Sequence, residues 1–205
     1  MNFFQKILYY IARFLFPSKI LGRENVTEGS AIFVCNHYSL ADCVFILKIH
    51  PNTKDLFFLA KKEAFKNKAF AKILKSFGGI PIDRDNPDVK SLLQTIKVLK
   101  NGHKLCIFPE GTRNKSKSGE LQPLKSGTGV FAVKAKCPII PVSIMKKPRL
   151  FIKTKVLIGK PFDLEEFYNV SLDEEATGLI DKKIAEKMIE NHNELKRIYQ
   201  KKKKC

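Results

Sequence analysis

The stretch AIFVCNHYSLAD, residues 31–42, runs from an apolar segment into a histidine and an aspartate five positions apart, His37 and Asp42. AIFVCN is short, apolar and β-branched near its start, which predicts a strand over 31–36, and ADCVFILKIH predicts a buried helix, or a mixed turn and helix, over 41–50. The polar pair therefore falls where a buried strand hands over to the next element, the place where α/β architectures gather their ligands. An imidazole with a reference pKa of about 6.5 takes a proton from a hydroxyl near neutral pH. An aspartate one turn further on fixes the tautomer and stabilises the imidazolium that forms.

Outward from this stretch the chain alternates strand and helix patterns. Strands are predicted at DLFFLA (55–60), KLCIFPE (104–110), PIIPVSI (138–144) and IKTKVLIG (152–159), the last nearer a sheet edge. The Lys-rich segment 61–77 reads as a helix stopped at Gly78-Gly79, and SGTGVFAVKAK (126–136) as another. Asn86-Pro87-Asp88 is the expected N-cap and first turn of a helix whose apolar stripe is Val89, Leu92, Leu93, Ile96 and Leu99. Near the end, Ser171 and Glu174 form a candidate capping box ahead of a stripe at Ile180, Ile184 and Met188. The fold class expected is α/β: a single layered domain with a mostly buried mixed sheet flanked by helices.

A length of 205 residues with 44% apolar content suits one core and requires no second domain. The formal charge of +18, from 38 Lys plus Arg against 20 Asp plus Glu, favours polyanionic partners without choosing among nucleic acid, anionic membrane and phosphorylated small molecules. Five Cys without a CxxC pair suit a reducing compartment, and four scattered His offer no zinc spacing, so no metal is expected.

The opening MNFFQKILYYIARFLFPSK, residues 1–19, reads as an amphipathic helix ended by Pro17, with Gln5, Lys6, Ala12 and Arg13 on one side. It is shorter than the roughly 20 apolar residues that cross hydrocarbon, and no small-residue cleavage site follows it. The expectation is a helix lying on an anionic membrane surface, with Lys6, Arg13, Lys19 and Arg23 toward the headgroups. Residues 20–205 would then be the folded domain and its basic tail.

Four stretches carry unusual polarity: NHYSLAD (36–42), GGIPIDR (78–84), FPEGTR (108–113) and CPIIPV (137–142), read as loops or strand edges. Arg84 and Arg113 suit a phosphate clamp, helped by the Thr112 hydroxyl and the Gly111 amide. Glu110 suits a polyol hydroxyl or the ordering of an Arg, and a structural ion pair among Glu110, Arg113 and Asp83 is the competing reading. With no Gly-x-Ser-x-Gly elbow, and with Cys35 and Cys43 in apolar surroundings, the attacking hydroxyl is expected to belong to the substrate itself.

In order and spacing these four blocks resemble those of the glycerophospholipid acyltransferase family, near its bacterial lysophosphatidate-using members. The resemblance implies His37 as base and Asp42 as its partner. It implies that Arg84 assists the glycerol phosphate site, that Glu110 and Gly111 shape the acceptor pocket, that Arg113 holds its phosphate, and that Pro138 and Pro141 belong to the wall of the final block. The implied reaction moves a fatty acyl group from acyl-CoA or acyl carrier protein to the sn-2 hydroxyl of lysophosphatidic acid, yielding phosphatidic acid without a cofactor. Its implied place is the cytoplasmic face of the cell membrane, as a peripheral or monotopic protein. Glycerol 3-phosphate or another lysophospholipid is the alternative acceptor, and a basic membrane- or nucleic-acid-binding module the alternative class; no nucleic-acid partner is expected.

Overall fold

A computed structural model describes residues 3–83, 88–116, 120–125 and 127–201. Its elements are α1 (Phe3–Leu15), β1 (Ser18–Leu21), β2 (Ala31–Cys35), α2 (Asp42–Ile49), β3 (Leu56–Lys61), α3 (Lys68–Ser76) and β4 (Gly79–Ile82). They continue with α4 (Val89–Lys100), β5 (Lys104–Ile107), α5 (Thr128–Ala135), β6 (Ile139–Ile144), β7 (Thr154–Ile158) and α6 (Glu174–Lys201). The strands form one sheet in the order β1-β7-β6-β2-β5-β3-β4, parallel throughout except where β6 meets β7. This is the expected mixed, buried sheet.

All five residues of β2 are buried because it lies between β5 and β6 and is covered on both faces. The strand period of two sends Ala31, Phe33 and Cys35 to one side, where they pack with Tyr9, Phe45, Ile46 and Ile49 of α1 and α2. Ile32 and Val34 face the other side and meet Leu99, Phe131, Ile180 and Ile184 of α4, α5 and α6. Complete burial of such side chains stabilises by roughly 1.5–3 kcal/mol each. The parallel central strands all end on the same edge of the sheet, so Cys35, Ile107, Lys61 and Ile82 share one side of the molecule.

Several details depart from the sequence reading. GIPI is a paired edge strand, β4, in which Pro81 is tolerated because only β3 adjoins it. Gly78 has φ 77° and so close an approach that an added Cβ would lie 2.3 Å from the Leu56 carbonyl oxygen. The four-residue β1, which the sequence reading did not include, occupies the opposite edge and pairs with β7, which is thus next to the border.

The α4 cap is Asp88, whose carboxylate accepts the Ser91 amide at 2.9 Å, and not Asn86, which with Pro87 lies outside the described residues. Val89 and Leu93 are exposed, while Ser91, Thr95, Val98 and Leu99 are buried. The hydroxyls of Ser91 and Thr95 donate to the carbonyl oxygens of Pro81 and Ser91, which lets polar residues occupy the inner face. Likewise, Asp173 rather than Ser171 caps α6, accepting the Ala176 amide at 2.9 Å.

In α1 the departure is Gln5, read on one side with Lys6 and Arg13 but turned inward while those two are exposed. Gln5 and Tyr9 are buried, and Phe3, Phe4, Ile7, Tyr10, Ile11 and Phe14 are exposed, so most of the large apolar side chains point away from the domain. Lys48 secures the end of this helix, its amine donating to the Phe16 carbonyl oxygen and to Ser18 Oγ. Among the described residues no helix is long and apolar enough to cross a membrane.

Candidate active site

The chain leaves β2 through Asn36, which is fully buried and hydrogen bonds the end of β6 in both directions. Its Nδ2 donates to the Ile144 carbonyl oxygen at 3.0 Å and its Oδ1 accepts the Ile144 amide at 2.8 Å. That pairing ties the next residue, His37, to the rigid sheet edge.

His37 Nδ1 lies 2.9 Å from Asp42 Oδ2. Asp42 opens α2 and is wholly buried; the same oxygen accepts the amides of Tyr38 at 2.6 Å and Ser39 at 2.7 Å. Three donors thus converge on one carboxylate oxygen at the start of the helix. With Nδ1 engaged, Nε2 is the ring nitrogen left for a substrate. The ring stacks on Phe108, centroids 4.1 Å apart and planes 25° from parallel.

The turn after β5 closes over the same residue. Glu110 Oε1 accepts the His37 amide at 3.3 Å, and the Asn114 amide donates to the His37 carbonyl oxygen at 2.6 Å. Burial pushes the Glu110 carboxyl up to about 7, although the His37 amide acts in the other direction. Gly111 takes φ 71°, a backbone conformation that favours glycine, with the Lys125 side chain lying close over it. Thr112 Oγ1 donates to Gln122 Oε1 at 3.3 Å, and Arg113 is exposed.

An apolar cavity of about 850 Å³ opens beside the imidazole. Tyr9 and Leu8 of α1, Val44 and Leu47 of α2, and Phe70, Ile73 and Leu74 of α3 form its hydrocarbon walls. His37, Gly111, Thr112, Arg113, Lys61, Lys115 and the single acid Glu63 supply its polar side. Such a cleft, apolar over most of its lining with a few cations and one imidazole at one end, suits a ligand with a hydrocarbon tail and an anionic head.

The family profile described as Acyltransferase matches residues 18–145. The 1-acyl-sn-glycerol-3-phosphate acyltransferase of Bacillus subtilis (strain 168) is 31% identical over 169 residues, covering 80% of this chain and 82% of that one. The chain belongs to the acyltransferase family. A longer 1-acyl-sn-glycerol-3-phosphate acyltransferase from Cocos nucifera is 37% identical over 132 residues, which are 60% of this chain and 42% of the coconut protein. The crystal structure of the 1-acyl-sn-glycerophosphate (LPA) acyltransferase PlsC from Thermotoga maritima superposes with a TM-score of 0.65 at 26% identity, covering 97% of this chain and 84% of that one.

In this acyltransferase the fold brings together His37, Asp42, Glu110, Gly111, Thr112 and Arg113, drawn from the ends of two adjacent strands. Arg84 lies outside the described residues. Glu110 hydrogen bonds the His37 backbone, a partner the sequence reading did not anticipate. Neither Pro138 nor Pro141 is among the described residues lining the cavity, and Pro141 pairs with Val34 inside the sheet. The CPIIPV block therefore builds the sheet, and its contact with the site is indirect, through Ile144 and Asn36.

Asn36 and Asn114 are the contributors that sequence reasoning passed over. Asn114 is buried, donates its side-chain amide to the Glu120 carbonyl oxygen at 2.6 Å and accepts the Ser116 amide at 2.8 Å, which shapes the turn carrying Arg113. The available signal was an asparagine opening the first block and another directly after FPEGTR. Ser39 Oγ accepts the Ala41 amide at 3.2 Å, a local turn contact. Burial, with the Asp42 charge adding to it, pushes the Cys43 thiol up to about 12, so this cavity-lining sulfur stays protonated.

Proposed function

We propose that this chain moves a fatty acyl group from a thioester of coenzyme A or acyl carrier protein to the sn-2 hydroxyl of 1-acyl-sn-glycerol 3-phosphate, forming phosphatidic acid, with His37 as general base. The observation that carries the reading is the 2.9 Å contact between His37 Nδ1 and the buried Asp42 carboxylate, set at the polar end of an apolar cavity. The family and the acceptor in the names of its relatives agree with it.

The acceptor hydroxyl gives its proton to His37 Nε2 as its oxygen attacks the thioester carbonyl carbon, and Asp42 stabilises the imidazolium. The tetrahedral intermediate collapses, the carbon–sulfur bond breaks, and the departing thiolate takes the proton back from the imidazolium. No covalent acyl-enzyme forms, in keeping with the local turn contact of Ser39 and the protonated Cys43. Arg113, with Arg84 and the Thr112 hydroxyl, holds the acceptor phosphate, while Glu110 and Gly111 shape the turn around it. The hydrocarbon chains enter between α1, α2 and α3.

Residues 1–19 form the anchor in this reading, lying on an anionic membrane with the exposed aromatic and aliphatic face of α1 in the acyl region. The four described cysteines, Cys35, Cys43, Cys106 and Cys137, are free thiols, which supports a place on the cytoplasmic face, where thioester donors also occur.

Purified protein assayed across a matrix of lysophosphatidate, other lysophospholipids and glycerol 3-phosphate against both donor classes tests the reaction. Lysophosphatidate should be the best acceptor, and His37→Ala should lose at least about a hundredfold in turnover while remaining folded. Near-normal turnover in a folded His37→Ala protein would falsify the general-base role.

A further inference from the structure

The segment KKPRLFIK, residues 146–153, follows β6 and carries four cations around three large apolar residues, with no acid among them. Lys146, Lys147, Arg149, Leu150, Phe151, Ile152 and Lys153 are all exposed, and only Pro148 is buried. Phe151 holds φ 60°, a backbone conformation that residues with side chains seldom adopt. Its amide donates to the Leu15 carbonyl oxygen at 2.7 Å, which fastens the loop to the end of α1.

The same contact brings the two apolar surfaces together. The rings of Phe14 and Phe151 meet edge to face, centroids 5.8 Å apart, yet both remain largely exposed, at 73% and 63%. Phe3, Ile7, Tyr10 and Ile11 extend the surface along α1, and Leu150 and Ile152 extend it beyond the loop. A contiguous apolar surface rimmed by Lys and Arg matches the two layers of an anionic bilayer, with hydrocarbon for the rings and headgroups for the cations.

We propose that residues 146–153 are a second membrane-insertion element, locked to α1 through Phe14 and Phe151, which fixes the tilt of the enzyme on an anionic lipid surface. The inference rests on the membrane-surface reading above and adds a contact point to it. One helix on a bilayer can roll about its own axis. A second wedge beside its carboxyl end removes that freedom and holds the cavity behind α1 at a constant angle to the lipid from which a lysophospholipid enters.

The chain contains no tryptophan, so single Phe14→Trp and Phe151→Trp variants of the full chain each report one site. They are mixed with vesicles of equal parts phosphatidylglycerol and phosphatidylcholine carrying brominated acyl chains, after circular dichroism has confirmed the fold. Blue-shifted, quenched emission from both variants is expected. Emission that shifts for F14W and stays unquenched for F151W overturns the wedge and leaves the α1 anchor standing. Silence from both overturns the membrane reading and the wedge with it. A response from F151W alone overturns the two-point attachment, because α1 would then not share in fixing the tilt. In a second arm, replacing Lys146, Lys147 and Lys153 with Gln should weaken partition to these vesicles by at least about tenfold. Unchanged partition would remove the electrostatic half of the proposal.

Discussion

The imidazole of His37 lies almost flat on the ring of Phe108, so the base is held by a ring face as well as by the Asp42 carboxylate. The carboxylate fixes Nδ1, and the stack limits rotation about the remaining axis, so together they fix the direction of Nε2. Stacked aromatic pairs contribute about 0.5–1.5 kcal/mol beyond area burial. Phe108→Leu keeps an apolar side chain and removes the stack. It should lower kcat between about twofold and tenfold while KM changes less. Steady-state kinetics on the folded variant check this, and an unchanged kcat would mean that Asp42 alone orients the ring.

Glu110 carries a stability signature that depends on pH. Burial raises its folded-state carboxyl from the ordinary 4.5 to about 7, so across that window the folded protein binds the proton that the unfolded chain has released. Stability contributed at this position therefore falls as pH rises from 4.5 to about 7 and is level above it. Glu110→Gln still offers an oxygen to the His37 amide and does not ionise. Relative to the parent, it should gain stability through this window, by no more than roughly 3 kcal/mol at the alkaline end. Urea unfolding at about pH 5 and about pH 8 measures it; a difference that ignores pH would show that the carboxyl is not buried as charge.

Arg113 is exposed on the cavity's polar side, where a planar guanidinium can present two parallel donors to a phosphate. Arg113→Lys keeps the charge and loses the fork, so it separates geometry from electrostatics. Its kcat/KM for lysophosphatidate should fall about tenfold to a hundredfold, since each charge-assisted hydrogen bond contributes roughly 1.5–3 kcal/mol. Monoacylglycerol, which has no phosphate, should be used with little change. Equal losses on both acceptors would point to damage in the 110–114 turn.

What was legible in the sequence followed from strong local signals. The buried strands β2, β5 and β6 and the His37–Asp42 pair stand out because apolar runs ended in unusual polarity. The edge strands were obscured: Pro81 and two glycines disguise β4, and β1 is four residues with an exposed Lys19. The inner face of α4 was legible in part: Leu92, Ile96 and Leu99 meet the core, whereas Ser91 and Thr95 join that face because their hydroxyls donate to backbone oxygens. For α1, periodicity separates two faces without saying which one the domain covers. Gln5 is turned inward by a hydrogen bond from Nε2 to the Ser76 carbonyl oxygen, a contact made across the fold and invisible locally.

Asn36 is the residue through which the sheet fixes the site. Its amide satisfies both the buried N–H and the buried carbonyl of Ile144, while the peptide bond on its other side leads directly to His37. Asn36→Ala leaves two buried backbone groups without partners, and each such loss costs about 1–3 kcal/mol. Asn36→Asp keeps the size and can still accept the Ile144 amide, but it turns a carboxylate toward the Ile144 carbonyl oxygen. Both variants should lose roughly 2–4 kcal/mol in urea unfolding. Because the same residue sets the start of the His37 turn, kcat should fall further than KM rises, even at low temperature where the folded population is complete. If stability drops while turnover of the folded fraction stays at the parental value, the position of His37 is set by Asp42, Phe108 and the 110–114 turn, and Asn36 serves the sheet alone.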